Sequence, residues 1–477
     1  MRIALLLLAP TLLLAGCGSE GLVGDLPADA AHGAHDSGAL GSDVALHLNQ
    51  DAGATDAQLE ASAADTSSPP DGSIASDAAL PGHVQYSADR TLSAITPDIA
   101  ENLRVIAQHA SALKPDVFAK VGDSNTVSLN FLHCFAGTSV DLAGRDELAS
   151  TLELFKGGDA AGTPPFTRVS RAATVGWSAG AVLSDDPSPL TQEVAAIAPS
   201  LAVVLFGTND IQARDVFRFE SSMLDITDQL IAQGIIPLLS SVPPRDDGAD
   251  ADSWVPRYSA IVRAIAQARQ SPFLDLEREL RELPDHGIGA DGLHLSTYSP
   301  SGSARGCVFT TGALRYGFNR RNLITLQTLH RVRAALSGQP APDSVAPRLQ
   351  GRGTSNEPYV MGALPFGDLR DTSHQGTTLI DRYAGCSASQ DESGAEILYR
   401  LDLSSSKTVR AMVFARNGVD VDLHLLAGQP SPASCVERND KLIVRTLAAG
   451  TWFFSVDTYA SAGAAKAGEY LFVAVAD

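Results

Sequence analysis

The ten residues Leu201-Ala202-Val203-Val204-Leu205-Phe206-Gly207-Thr208-Asn209-Asp210 decide the fold. Six apolar residues in a row, with no alternation, read as a short strand buried on both faces. The Gly-Thr-Asn-Asp that closes it is a polar turn. Upstream, residues 117–121 are a second short run, closed by Gly122-Asp123-Ser124-Asn125-Thr126. Downstream, residues 235–242 are a third, stopped by Pro243 and Pro244, and residues 273–276 a fourth. Amphipathic stretches, such as residues 221–232 and 258–269, lie between them. Strands that alternate with helices predict an α/β fold, a parallel sheet with helices on both faces. Such sheets place their sites beyond the carboxyl ends of the strands, where these polar turns fall. A last helix over residues 320–336 should bury Leu323, Leu326, Leu329 and Val332 on one side.

Beyond a Pro-rich linker at residues 338–350 the texture changes. Residues 397–403, 408–414, 421–426, 441–444, 451–456 and 470–475 are short, β-rich and separated by turn residues. This spacing predicts an antiparallel β-sandwich over residues 351–477. Three stretches there, Asp420-Val421-Asp422-Leu423-His424-Leu425, residues 447–453 and Gly468-Glu469-Tyr470, resemble the bacterial pre-peptidase C-terminal (PPC) domain. The resemblance implies a PPC-like sandwich appended to a secreted enzyme, with a binding or spacer role. Some relatives hold calcium. Asp420 and Asp422 point to one side of a strand and are expected to be solvated edge carboxylates rather than calcium ligands.

The 477 residues carry a net charge of −20, from 55 acidic and 35 basic side chains. Backbone phosphates would repel such a chain, so no nucleic acid partner is expected, and no basic docking on anionic lipid. The charge is uneven. No Lys or Arg lies between Ile3 and Asp89, and residues 18–84 hold nine Asp, two Glu and no aromatic side chain. Such a stretch cannot offset its ordering entropy, so residues 17–85 are expected to be a disordered acidic linker. At the start, Arg2 precedes an apolar run too short for the ~20 residues of a membrane span, but long enough for a signal peptide. Leu14-Ala15-Gly16-Cys17 resembles a bacterial lipobox. It implies a lipoprotein signal peptide over residues 1–16, lipidation of Cys17, and a membrane partner through that anchor. Gly18, rather than Asp, resembles lipoproteins sorted to the outer membrane of the bacterial envelope.

Removing Cys17 leaves Cys134, Cys307, Cys386 and Cys435, an even number that permits two disulfides in an exported chain. The linker separates the first two from the last two, which favours the pairs Cys134–Cys307 and Cys386–Cys435. No cysteine or histidine group has zinc spacing, and neither a metal nor a cofactor is expected.

Two serines compete as nucleophile. Ser178 stands in Gly176-Trp177-Ser178-Ala179-Gly180, a G-x-S-x-G pattern that in a nucleophile elbow needs a strand before it and a long helix after it. Pro187 stops any helix after about two turns. Ser124 follows a strand, and two further motifs come after it in order: Gly207-Thr208-Asn209-Asp210 and Asp291-Gly292-Leu293-His294. A serine hydroxyl needs a neighbouring base. His294 can take its proton and return it to the leaving alkoxide. Asp291, three residues earlier, can hold the other ring nitrogen. The three motifs together resemble the SGNH (GDSL-type) hydrolases over residues 116–336, within an expected domain of residues 86–337. The resemblance implies a Ser124–His294–Asp291 triad and an oxyanion hole of the Ser124 N–H, the Asn209 amide and a glycine N–H. Gly176 fits the glycine role, with Gly180 as the alternative. Arg171 stands where the family often has Asn. The expected function is a lipid-anchored serine esterase acting on acyl or acetyl esters of a lipid or acylated polysaccharide. The alternative is an inert surface-binding lipoprotein on the same scaffold.

The remaining polar residues read as structural. Asp123 and Asp210 should fix loops. His133, His286, His330, His374 and His424 should be surface or satisfied histidines. Arg320, Arg321, Arg331 and Arg333 should form a solvated helix face. Trp177 is equally suited to a substrate pocket or to the core.

Overall fold

A computed structural model describes residues 84–477 except Ser111 and Ala388. The signal peptide, Cys17 and all but two residues of the acidic linker lie outside the described residues. Those two are packed: Val84 is buried, and the Gln85 N–H donates to the Pro347 carbonyl at 2.7 Å.

The four predicted strands are β1 (Lys114–Gly122), β2 (Pro199–Leu205), β3 (Ile236–Ser240) and β4 (Phe273–Leu274). They form one parallel sheet in sequential order, with Val121 opposite Val204 and Val204 opposite Leu239. The helices are α1 (Pro97–Gln108), α2 (Ser124–Val127), α3 (Ala149–Gly157), α4 (Pro189–Ile197), α5 (Val216–Ala232), α6 (Ala249–Ala268), α7 (Leu276–Arg281) and α8 (Gly317–Leu336). Helices α1, α3 and α8 pack together, as do α5 and α6. Each of the three expected helices begins earlier than its amphipathic stretch: α5 at Val216, α6 at Ala249 and α8 at Gly317. Helix α6 carries Pro256 in its interior. In α8 the four predicted core residues are all buried.

The C-terminal strands are β5 (Tyr359–Val360), β6 (Phe366–Asp371), β7 (Glu396–Leu403), β8 (Lys407–Ala415), β9 (Val421–Ala427), β10 (Cys435–Asn439), β11 (Leu442–Leu447), β12 (Gly450–Thr458), β13 (Ala460–Ser461), β14 (Ala464–Ala465) and β15 (Glu469–Ala476). Two sheets, β10-β9-β12-β7-β5 and β11-β8-β15-β6, face each other, while β13 and β14 form a small separate pair. Between the sheets lie Val409, Ala411, Val413, Tyr470, Phe472 and Ala474. The alternate residues Met412, Phe414, Leu471, Val473 and Val475 point the other way and join the α/β core. This sheet is therefore buried on both faces, which is why β15 reads as a continuous apolar run. The Phe217 and Phe414 rings lie 5.2 Å apart, and Gln267 donates to the Gly367 carbonyl at 2.6 Å. The linker is docked too: Asp343 pairs with Arg90 at 2.7 Å and accepts the Ile95 N–H at 2.8 Å.

Both expected disulfides are present, Cys134–Cys307 with Cα atoms 5.6 Å apart and Cys386–Cys435 with 5.1 Å.

The sandwich holds a polar group that the sequence reading placed in solvent. Asp420 does sit at the surface, paired with Lys466 at 3.0 Å. Asp422 is buried instead and pairs with Arg438 at 2.8 Å. Glu392 and His424 are both fully buried, with Nε2 of the imidazole 3.8 Å from Glu392 Oε1. Tyr383 stacks on His424 at 3.5 Å between ring centres. Burial, reinforced by the Asp422 charge, pushes the Glu392 carboxyl up to about 8, and burial pushes His424 down to about 3. A raised carboxyl binds its proton more tightly in the folded state. Its contribution is therefore present below the ordinary carboxyl range and lost as pH rises through about 8. For His424 the sign is opposite, with stability lost as pH falls below its ordinary range. Glu392→Gln should therefore raise Tm at pH 9 relative to the native protein by more than it does at pH 5. Thermal melts at the two values check this, and equal shifts would refute it.

Candidate active site

At Gly122, β1 ends against the tip of β2. A Cβ there would lie 2.4 Å from the Leu205 carbonyl oxygen, so only glycine allows this approach. The chain turns at once into α2. Asp123 caps it, with Oδ1 accepting the Asn125 N–H at 3.0 Å. Ser124 is the first residue of α2 and is nearly buried, at 8% exposure.

His294 arrives on the loop before α8. Asp291 folds that loop, because its Oδ1 accepts the N–H groups of Leu293 at 3.0 Å and His294 at 2.9 Å. Gly292 has φ +72°, and a Cβ on it would lie 2.6 Å from Asp247 N. His294 Nε2 is 2.8 Å from Ser124 Oγ, and Nδ1 is 2.7 Å from Asp291 Oδ2. The carboxylate only accepts, so Nδ1 carries the ring proton and the serine hydroxyl donates to Nε2. Desolvation raises the Asp291 carboxyl, but the two backbone N–H bonds and the imidazole outweigh it and hold the group at about 2. The Asp291 and His294 side chains are 54% and 40% exposed, so the dyad faces open solvent above a sheltered serine.

Asn209 and Asp210 follow β2. Asn209 Nδ2 donates to the Trp177 carbonyl at 2.9 Å. Asp210 ties two loops, accepting from Ala179 N at 2.9 Å and Gly207 N at 3.1 Å. Burial pushes its carboxyl up to about 6. Asp123 and Asp210 thus hold loops, as their turns suggest. Residues 172–174 run beside the end of β1, with Gly122 N donating to Ala172 O at 3.0 Å and Thr174 N to Gly122 O at 3.1 Å. Gly176 is exposed on this same loop, one residue before the carbonyl that Asn209 holds. Gly180 lies against α5, where a Cβ would meet Ser222 Oγ at 3.3 Å. Arg171 has its N–H bonded to Glu193 Oε2 at 3.0 Å and its side chain exposed. After Ser178 comes a single 3-10 turn, Ala179–Leu183, and not the long helix of an elbow. Trp177 is half-buried against the core and serves Asn209 through its carbonyl.

The largest departure from the sequence reading is the start of α8. Arg321 is 2% exposed, not solvated. It donates to the Asn125 carbonyl at 2.7 Å and Thr126 Oγ1 at 3.0 Å, over the Phe131 ring at 3.6 Å. Asn322 accepts from Leu132 N at 2.9 Å and donates to the carbonyls of Asn130 and Gly306 at 2.9 and 3.0 Å. Asn319 accepts from Tyr298 N at 3.1 Å. These side chains pin the chain after Ser124 and the chain after His294 to one helix, and Cys134–Cys307 joins the same two segments. For Asn319 and Asn322 the spacing was the available signal, because they share a helix face with Leu326 and Leu329, whereas Arg321 lies off that face. Arg320 pairs with Glu279 at 2.6 Å, and Arg333 donates to Ser150 Oγ at 3.0 Å. Of the histidines, His286 pairs with Asp246 at 2.7 Å, His330 meets Thr151 at 3.0 Å and His133 lies 3.2 Å from the buried Lys120 amine. His374 is exposed, beside Asp371 at 3.5 Å, and His424 alone of the five is buried with neither ring nitrogen hydrogen-bonded.

Residues 157–298 match the GDSL-like lipase/acylhydrolase family. The span includes Gly176, Asn209, Asp291 and His294 and begins after Ser124. No curated protein matches the chain. Among solved structures it is similar to a GDSL-like lipase from Bacteroides thetaiotaomicron VPI-5482, with 15% identity over 48% of this chain and 98% of that one, TM-score 0.28. It is also similar to a two-domain esterase active on acetylated mannans, with 13% identity over 80% and 96% and TM-score 0.28. The pre-peptidase C-terminal domain of collagenase from Bacillus anthracis is similar at 10% identity over 23% and 89%, TM-score 0.16.

Proposed function

We propose, on the premise that this chain carries a GDSL-like lipase/acylhydrolase domain, that it is a serine esterase cleaving acyl or acetyl esters through Ser124, His294 and Asp291. The observation that carries the reading is the unbroken hydrogen-bond chain from serine through imidazole to carboxylate, at 2.8 and 2.7 Å, at the carboxyl end of the sheet. Nε2 of His294 takes the hydroxyl proton as Ser124 Oγ adds to the ester carbonyl. Asp291, held ionised, stabilises the imidazolium and keeps the ring in the tautomer that exposes Nε2. The tetrahedral oxyanion takes hydrogen bonds from the Ser124 N–H, the Gly176 N–H and the Asn209 amide. Its collapse breaks the acyl–oxygen bond, and His294 returns the proton to the departing alkoxide. Water then releases the acyl group by the same route.

A fluorophosphonate probe should label the native protein at Ser124 and leave Ser124→Ala unlabelled. A folded native protein that is not labelled would favour the inert binding scaffold. Turnover of nitrophenyl acetate, longer acyl esters and acetylated polysaccharide then ranks the substrates. The lipobox supports an anchored protein of the bacterial outer membrane, with residues 17–83 as tether. Cys17→Ser should release it from the membrane fraction, because the substitution removes the residue expected to carry the acyl chains. Unchanged fractionation would reject the anchor.

A further inference from the structure

Nucleophile and base come from segments 170 residues apart, and one side chain ties the two together directly. Asn125 follows Ser124 and is fully buried. Its Oδ1 accepts the N–H of Leu295, the residue after His294, at 3.2 Å. Its own backbone is held from both ends. The N–H donates to Asp123 Oδ1 at 3.0 Å, and the carbonyl accepts from Arg321 Nη1 at 2.7 Å. Its Nδ2, by contrast, is buried with no partner. An unpaired buried amide is costly, and an apolar side chain would avoid that cost. What asparagine supplies at this position is the acceptor oxygen.

We infer that Asn125 is a positioning residue that sets the distance between Ser124 and His294, and that the buried Arg321 holds Asn125 in place. The inference rests on the triad reading above and adds to it a group that touches neither substrate nor reacting atoms. Proton transfer from Oγ to Nε2 needs a separation of about 2.6–3.2 Å. Misplacement by ~1 Å costs about 10²-fold in rate. Without the acceptor, the Leu295 N–H loses its anchor and the imidazole is free to drift from the hydroxyl.

The test compares substitutions in the full chain. Asn125→Ala should lower kcat by about 10- to 100-fold, leave KM within about twofold, and slow fluorophosphonate labelling of Ser124 in the same proportion. Asn125→Val, which fills the space without the acceptor, should behave alike and covers the case in which the alanine variant fails to fold. Asn125→Asp keeps an oxygen at the same point and gives up only the unpartnered amine. It should restore most of kcat, because a carboxyl oxygen accepts the Leu295 N–H in either protonation state. Arg321→Lys should cost less in the Asn125→Ala background than alone, because it acts through the same residue. Native kcat in both Asn125→Ala and Asn125→Val, or a loss that Asn125→Asp does not reverse, overturns the inference. Ser124→Ala separates the two levels. If it keeps turnover, the triad reading falls. If it is inactive while Asn125→Ala is fully active, only the positioning role falls.

Discussion

Ser124→Ala should lower kcat by about 10⁶, equivalent to roughly 8 kcal/mol of transition-state stabilisation, and leave KM nearly unchanged. The size follows from the chemistry. Without Oγ no acyl-enzyme forms, and His294 and Asp291 have nothing to activate but water. What remains is the rate supplied by the oxyanion donors and by binding. The fold should survive, since the hydroxyl's hydrogen bond goes to an imidazole 40% exposed to solvent, and α2 is held by Asp123 and Arg321 instead. Ser178→Ala is the matched control and should keep most of the turnover. Ser178 precedes a single 3-10 turn, and His294 is already bonded to Ser124. If Ser178→Ala were inactive and Ser124→Ala active, the nucleophile would be the wrong serine. Melting curves on both variants keep stability apart from chemistry.

The sheet was legible because its four strands are apolar runs cut off by Gly, Asp or Pro, and a parallel strand buried on both faces carries that signature. The meeting of Ser124, His294 and Asp291 was legible because each sits in a polar turn just past such a run or before the last helix. The support beneath it was not. Periodicity assigns charged side chains to water, and Arg321 breaks that rule by exchanging water for the carbonyl of Asn125, Thr126 Oγ1 and the Phe131 ring. The same bias put Asp422 in solvent, where the structure has it buried beside Arg438. Strands β6 and β10 were missed because Phe-Gly-Asp-Leu-Arg-Asp and Cys-Val-Glu-Arg-Asn have neither an apolar run nor a clean alternation. In β6 the buried polar residue is Asp368, which binds Arg370 at 2.7 Å. The docking of the sandwich on α5 and α6 was partly written in β15, whose unbroken apolar run requires cover on both sides. Only the position of the helices shows what covers it.

Asn209→Ala should lower kcat by about 10²–10³, roughly 3–4 kcal/mol, with little change in KM. Asn209 stands just past the strongest strand, and its amide has two N–H groups. One is committed to the Trp177 carbonyl at 2.9 Å, which fixes the amide plane. The other is left for the charge that develops on the substrate carbonyl oxygen. A donor fixed in this way does not reorganise as charge builds, so its benefit falls on the transition state and not on the ground state. The alanine variant also loses the bond to Trp177, but the loop that carries Trp177 keeps other anchors. Asp210 still holds Ala179 N and Gly207 N, and Gly122 still pairs with Ala172 and Thr174. The protein should therefore fold normally, with Tm close to that of the native chain. Asn209→Asp should be at least as inactive, because a carboxylate would face both the Trp177 carbonyl and the oxyanion. Near-native kcat in Asn209→Ala, or a loss explained by unfolding in the melting curve, would make Asn209 a turn residue that only holds Trp177. The oxyanion hole would then rest on the backbone N–H groups of Ser124 and Gly176.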